Sequence, residues 1–202
     1  METSNEKTFK VTVKRITDWS LVATEARATA WKGPLEREPS SNWKMRILRS
    51  RHSPIEALFF QIHIEGIPYF SSVHFSRHRM MTHYVSSQRD DRNPNADIPR
   101  AQKPQGALVN HDMIMNAQTI ISMSRKRLCM KADSVTRSIW EAVKEEMIRI
   151  GEVEMAAFMQ PECWWFHDHC PELQCCGRCP EMPMPEIPKL PEDSPKTEES
   201  AQ

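Results

Sequence analysis

Between Arg77 and Arg89 the chain reads Arg77-His78-Arg79-Met80-Met81-Thr82-His83-Tyr84-Val85-Ser86-Ser87-Gln88-Arg89, a stretch with three arginines, two histidines and two serines. Guanidinium groups this close repel one another, so a fold that gathers them normally supplies anions, and the planar guanidinium fork pairs bidentately with phosphate. The plain alternative is a solvated basic face. A metal site is a third reading, because His74, His78 and His83 include an i, i+4 pair. Three neighbouring arginines make a cation there electrostatically unfavourable.

Spacing narrows the choice. Arg77-His78-Arg79 is followed after seven residues by Ser87-x-Arg89; upstream stands His52-Ser53-Pro54-Ile55-Glu56, and downstream Asn116-Ala117-Gln118 precedes Arg127 by the interval of a helical ligand set. These three ordered blocks, spanning roughly 52–147, resemble the signature of the flavin-dependent thymidylate synthases. The first matches that family's arginine motif ending in Ser-x-Arg, the second resembles its His-x-x-x-x-Glu segment with three residues in place of four between His52 and Glu56, and the third resembles its Asn-x-Arg segment with a further arginine eleven residues after the asparagine.

The resemblance implies an α+β (α/β) fold, an antiparallel sheet flanked by helices, with sites built at subunit interfaces of a homotetramer. It implies an FAD-dependent methyltransferase that reductively methylates dUMP to dTMP, with methylenetetrahydrofolate and NADPH as co-substrates and the flavin as hydride carrier. Carried over residue by residue, His52, Glu56, Arg77, His78, Arg79, Asn116 and Gln118 would bind the flavin. Ser87, Arg89 and Arg127 would bind the nucleotide, and Arg127 and His74 would act at the reacting centre. This chain departs from the family pattern at Ala57, His74, Thr82, Tyr84, Val85 and Gln118, where the family usually has histidine, glutamine, serine, asparagine, glutamate and arginine respectively. Loss of polar groups at Tyr84 and Val85 keeps a second reading alive, a flavin- or nucleotide-binding protein without catalysis.

Two cysteine features offer other chemistry. Cys129 follows the Arg127 block, and nearby arginines would favour a thiolate nucleophile; a packed helix thiol is the simpler reading. Five of the six cysteines crowd between Cys163 and Cys179, where Cys176-x-x-Cys179 has zinc-knuckle spacing. Cys163, Cys170, Cys176 and Cys179 could close a tetrahedral structural zinc site, and free thiols or a local disulfide are the alternatives.

Composition sets limits on partners. The 202 residues allow one ordinary domain and a tail, and 39% hydrophobic content provides for a core. Lys plus Arg equals Asp plus Glu at 27 each, which argues against duplex nucleic acid as the partner. Six acids and two lysines lie from Pro180 onward, so the remainder is mildly basic, which suits small phosphorylated ligands. With only five glycines and no Gly-x-Gly-x-x-Gly, a Rossmann dinucleotide site is excluded. No apolar run approaches the ~20 residues of a membrane span, and the polar start lacks a signal-peptide core. The expectation is a cytoplasmic protein.

The elements that must position these residues follow from periodicity. Phe9, Val11 and Val13 alternate with polar residues as a half-buried strand, Asp18 caps a helix running through Trp31, and 43–51 suits a short helix. Leu58, Phe60, Ile62 and Ile64 form one face of a second strand that Gly66 ends. Periodicity leaves Tyr69 to Phe75 open between helix and strand, and the resemblance favours helix. Residues 90–104 read as a long loop. Asp112 is expected to cap a helix carrying both Asn116 and Arg127, whose eleven-residue interval puts them in line ~16 Å apart. A last helix begins near Asp133 and ends at Gly151. The chain thus divides into a domain over 1–160, a Cys/His-rich segment over 161–179 and a disordered proline- and glutamate-rich tail over 180–202.

Overall fold

The structure, a computed structural model, describes residues 9–92 and 98–184. Four antiparallel strands, β1 (Lys10–Arg15), β2 (Phe59–Pro68), β3 (Met81–Val85) and β4 (Leu108–Asn116), form a sheet in the order β1-β2-β4-β3. Helices α1 (Trp19–Ala28) and α2 (Ser41–Ser50) separate β1 from β2, and α3 (Tyr69–Ser76) separates β2 from β3. Helices α4 (Ala117–Arg127), α5 (Ser134–Arg149), α6 (Val153–Phe158) and α7 (Glu162–Trp165) follow β4. The architecture is α+β, as the sequence led us to expect.

Alternation gives the sheet two different faces. Val13, Phe60, Ile62, Ile64, Val109, Met113 and Met115 point into the core against Ile139, Trp140, Val143 and Met147 of α5 and Ile120 and Met123 of α4. The other face is polar: His63 lies opposite Asp112 in the β2/β4 register, their side chains 2.8 Å apart, and Lys10 pairs with Glu65 at 3.8 Å. Glu152 is buried and accepts from Trp19 Nε1 at 2.9 Å and from Arg15 at 2.5 Å, tying β1 and α1 to the start of α6.

Three expectations are corrected. The chain from Leu108 to Asn116 is a strand and not the beginning of a helix, so Asp112 faces His63 instead of capping α4. Val109, His111, Met113 and Met115 share the period of two that a strand flanked by β2 and β3 needs, and pairing on both sides decides it. Gly66 does not end β2: at φ +71° it forms a bulge, donates to Asn110 Oδ1 at 3.1 Å, and lets the strand resume through Ile67. The helix after Asp18 stops at Ala28, leaving Trp31 fully exposed.

Between residues 69 and 76 the open choice resolves as helix. Pro68 precedes the first turn, and Tyr69 and Phe70 donate to the carbonyls of Ala107 and Gln105 at 2.9 and 3.1 Å, which satisfies two of the helix's first N–H groups. Part of the 90–104 loop and most of the tail, residues 93–97 and 185–202, lie outside the described residues.

Candidate functional site

Helix α4 is the ruler along which the sequence blocks are laid. Asn116 caps it: its side-chain oxygen accepts from Thr119 N and from Thr119 Oγ1, both at 2.9 Å. Arg127 ends it, so the two residues bracket eleven helical positions, ~16 Å of axis. Asn116 is nevertheless outside the helix, and its oxygen is committed to the cap.

The turn Arg77-His78-Arg79-Met80 lies along this helix. Arg77 caps the C-terminus of α3, Met80 adopts a left-handed conformation at φ +69°, and Thr119 Oγ1 holds the Met80 carbonyl at 3.2 Å. At the far end Arg127 donates from Nε to His78 Nε2 at 3.0 Å and from Nη2 to the His74 carbonyl at 2.6 Å. Because His78 Nε2 accepts, its proton sits on Nδ1, which remains a donor. Burial, then Arg127 and His83, hold its pKa down at about 4, so the ring is neutral near pH 7. Burial and the repulsion of Arg77 likewise hold the Arg127 guanidinium below its ordinary value.

Among the described residues no carboxylate pairs with Arg77, Arg79 or Arg127. Arg77 and Arg79 are exposed, and no residue of this turn lines the wide cleft of about 590 Å3 bordered by Arg27, Leu35, Arg37 and Trp43. The guanidiniums face an open surface. Arg89 differs: it is bound bidentately by Asp91 at 2.9 and 2.8 Å, while its N–H donates to Ser87 Oγ at 3.2 Å. Ser87 and Arg89 therefore form one turn beyond β3, with the guanidinium already neutralised.

The second block meets the opposite end of α4. His52 precedes the short 3-10 turn Ser53–Ala57, His52 and Glu56 are both exposed, and Ala117 N donates to the Leu58 carbonyl at 2.8 Å, seating that turn against α4. Arg51, left-handed at φ +52°, donates from Nη2 at 2.5 Å and from Nε at 3.2 Å to the Gln118 side-chain oxygen. Gln118 thus meets a guanidinium from the neighbouring segment.

This arrangement of sheet, arginine turn and bracketing helix has solved counterparts. Thymidylate synthase X from Helicobacter pylori, crystallised with FAD and dUMP, superposes with a TM-score of 0.59 at 15% identity over 75% of this chain and 99% of that one. The fold is that of a flavin-dependent thymidylate synthase. A UMP/dUMP methylase, PolB, from Streptomyces cacaoi bound with 5-Br dUMP gives 0.55 at 14% identity over 74% of this chain and 94% of that one. A further Helicobacter pylori flavin-dependent thymidylate synthase structure, with FAD and dUMP, gives 0.53 at 16% identity, covering 68% and 93%. No protein-family model and no curated protein matches the sequence.

Within this flavin-dependent thymidylate synthase fold, two residues escaped the sequence reading. His111 is fully buried on β4, its Nε2 lies 3.1 Å from His83 Nδ1, and its Nδ1 has no hydrogen-bond partner. Burial, then His83, hold its pKa down at about 4, against a smaller opposing pull from Asp112. A histidine inside an alternating apolar run was the available signal. Arg51, beside His52, is the other.

The alternative histidine cluster separates. His74 Nδ1 faces Thr136 Oγ1 at 3.3 Å, His78 faces Arg127 and His83 faces His111. Among the described residues no three His, Cys, Asp or Glu side chains converge so as to hold a metal ion. Cys163, Cys170, Cys176 and Cys179 line one small cavity of about 20 Å3 together with Cys129, without forming a tetrahedral set. The 161–179 segment is docked on the body, with Arg125 hydrogen-bonded to Glu162 and Lys126 to Glu172 at 2.6 Å.

Proposed function

We propose that the protein is a flavin-dependent thymidylate synthase, reductively methylating dUMP to dTMP with methylenetetrahydrofolate and NADPH as co-substrates. The observation that carries this reading is the cluster of Arg77, Arg79 and Arg127, held by α3 and α4 with no carboxylate partner among the described residues. A flavin dinucleotide has a pyrophosphate and dUMP a dianionic phosphate, and both fit a donor set of uncompensated guanidiniums. The chemistry that bound FAD would supply is hydride transfer to the transferred one-carbon unit.

The chain's own residues bind and orient. Arg77 and Arg79 would grip phosphate oxygens at the open end. Arg127 spends Nε and Nη2 within the protein, leaving Nη1 to address a ring carbonyl of the nucleotide or flavin. His78 offers Nδ1–H as a neutral donor, and a neutral ring beside two arginines avoids adding a further positive charge. Ser87 and Arg89 would take the nucleotide phosphate once it displaces Asp91, an exchange of one anion for another. His52, Glu56, Asn116 and Gln118 belong to the other end of α4, where the remainder of a long dinucleotide would extend. The likeness of fold to a thymidylate synthase and to a UMP/dUMP methylase supports the reading, and the exposure of Arg77 and Arg79 supports a site completed by a second chain of a homotetramer.

The test is the visible spectrum of the purified protein, followed by anaerobic single turnover of the photoreduced protein. Reoxidation of flavin with formation of dTMP, requiring both methylenetetrahydrofolate and dUMP, is the expected outcome. Tight flavin binding with no dTMP at any substrate concentration would identify a binding protein instead.

A further inference from the structure

We propose that the cleft between α1 and the start of α2 binds a nucleoside phosphate, with the base against Trp43 and the phosphate among Arg27, Lys32 and Arg37. The cleft has a volume of about 590 Å3, inside the span of about 300 to 1,000 Å3 common to small-molecule sites. None of the residues assigned above to flavin or dUMP lines it, so the inference stands apart from the proposed thymidylate synthase activity.

Small side chains open the cleft. Ala23 and Ala26 present only methyl groups on one face of α1, and the chain returning from α1 toward α2 stands off the helix there. That return is nonetheless fixed, because Arg27 Nε donates to the Gly33 carbonyl at 2.6 Å and Leu35 N donates to Thr24 Oγ1 at 3.1 Å. Leu35 and the half-buried Trp43 supply apolar walls. Trp31, fully exposed with a left-handed backbone at φ +56°, stands between the lining residues Ala30 and Lys32 and brings a second ring to the rim. Every base has a π-face to offer such rings.

The charges are one-sided. Glu38 is the one acidic residue lining the cleft among the described residues, and it is already compensated: Lys44 Nζ lies at 2.5 Å and Arg15 Nη1 at 4.0 Å. The bond to Lys44 holds the Glu38 carboxyl below its ordinary range, which keeps it ionised and paired. Among the described residues no carboxylate pairs with Arg27, Lys32 or Arg37. Arg27 spends Nε on the Gly33 carbonyl, which sets the plane of its guanidinium and leaves both amino groups as donors. Three cations without a counter-charge suit a dianionic phosphate better than a single carboxylate, and guanidinium forks take phosphate oxygens in pairs. The ring-lined walls then favour a phosphate that carries a base over a bare one.

The experiment titrates the full-length protein by calorimetry with ATP, dTTP and dTMP, and with inorganic phosphate as the control that lacks a base. At least one nucleotide should bind, and more tightly than inorganic phosphate. Lys32→Glu and Arg37→Glu, both at exposed positions that circular dichroism should show to leave the fold intact, should each weaken that binding by roughly tenfold or more, the loss of a charge-assisted contact. Arg79→Ala, at the arginine turn, should leave it unchanged, which separates this site from the one proposed for flavin and dUMP. Absence of binding by all three nucleotides, inorganic phosphate binding as tightly as they do, unchanged affinity in either charge-reversed variant, or loss of binding in Arg79→Ala would each overturn the proposal.

Discussion

Arg127 is half-buried and repelled by Arg77, yet its bonds to His78 Nε2 and the His74 carbonyl fix where its remaining amino group points. Replacing Arg127 with alanine should weaken nucleotide affinity by roughly 10- to 100-fold, the equivalent of one charge-assisted hydrogen bond at ~1.5–3 kcal/mol. Arg127→Lys should recover little, because an ammonium cannot hold two protein acceptors and a ligand in one plane; isothermal titration with dUMP checks both. His78 and His111 make a pH prediction. Each has a folded pKa of about 4 against an ordinary value of 6.5, so the unfolded chain binds more protons between those limits. Stability is therefore full above pH 6.5 and falls as pH drops from 6.5 toward 4. Thermal unfolding followed across that range should show the loss, and His111→Gln should flatten part of it.

Helix α4 is sensitive at its first turn, where Asn116 satisfies Thr119 N and Thr119 in turn holds the Met80 carbonyl of the arginine turn. Asn116→Ala should cost about 1 kcal/mol, up to ~2 if the arginine turn loosens with it. Asn116→Asp keeps the accepting oxygen and should restore the melting temperature. If Asn116 also donates its amide to a flavin, that variant will be stable and still bind flavin weakly, which separates the two roles. Helix α5 repeats the device: Asp133 Oδ1 accepts from Thr136 N at 2.9 Å and Thr136 Oγ1 at 3.0 Å. Thr136 also lies against Ser71 and His74, so Asp133→Ala should disturb the neighbourhood of Arg127 as well as α5.

At the scale of the molecule, the helices cover one face of the sheet and leave the arginine turn on an open surface beside the edge strand β3, where Tyr84 is 60% exposed. On the proposed function, a ligand as long as a dinucleotide would extend past the exposed Arg77 and Arg79 onto a second chain. Sedimentation should accordingly find four chains of 23.5 kDa in one particle. A monomer with undiminished flavin affinity would contradict a shared site. Inside the domain, Glu152 ties α1, β1 and α6 through Trp19 and Arg15. Glu152→Ala would leave Trp19 Nε1 buried without its acceptor, for a loss of ~3 kcal/mol or more, readable by urea unfolding.

The sequence by itself determined the fold class and the blocks that carry the arginines, because alternation in Phe60, Ile62 and Ile64 and the spacing from Arg77 to Arg89 are local properties of the chain. It also placed the start of α5 near Asp133, whose side chain acts on a residue three positions away. Tertiary structure alone decided the state of Leu108–Asn116, whose apolar positions fit either period until β2 and β3 supplied hydrogen-bonding partners on both edges. The same holds for His111 and for the contacts of Arg51 and Arg127, which join residues 28 to 67 positions apart. Spacing along a chain records which groups recur on one element. Whether two groups from different elements share a hydrogen bond, and so a pKa or a task, is settled by packing, where the cost of an unpaired buried group selects the arrangement.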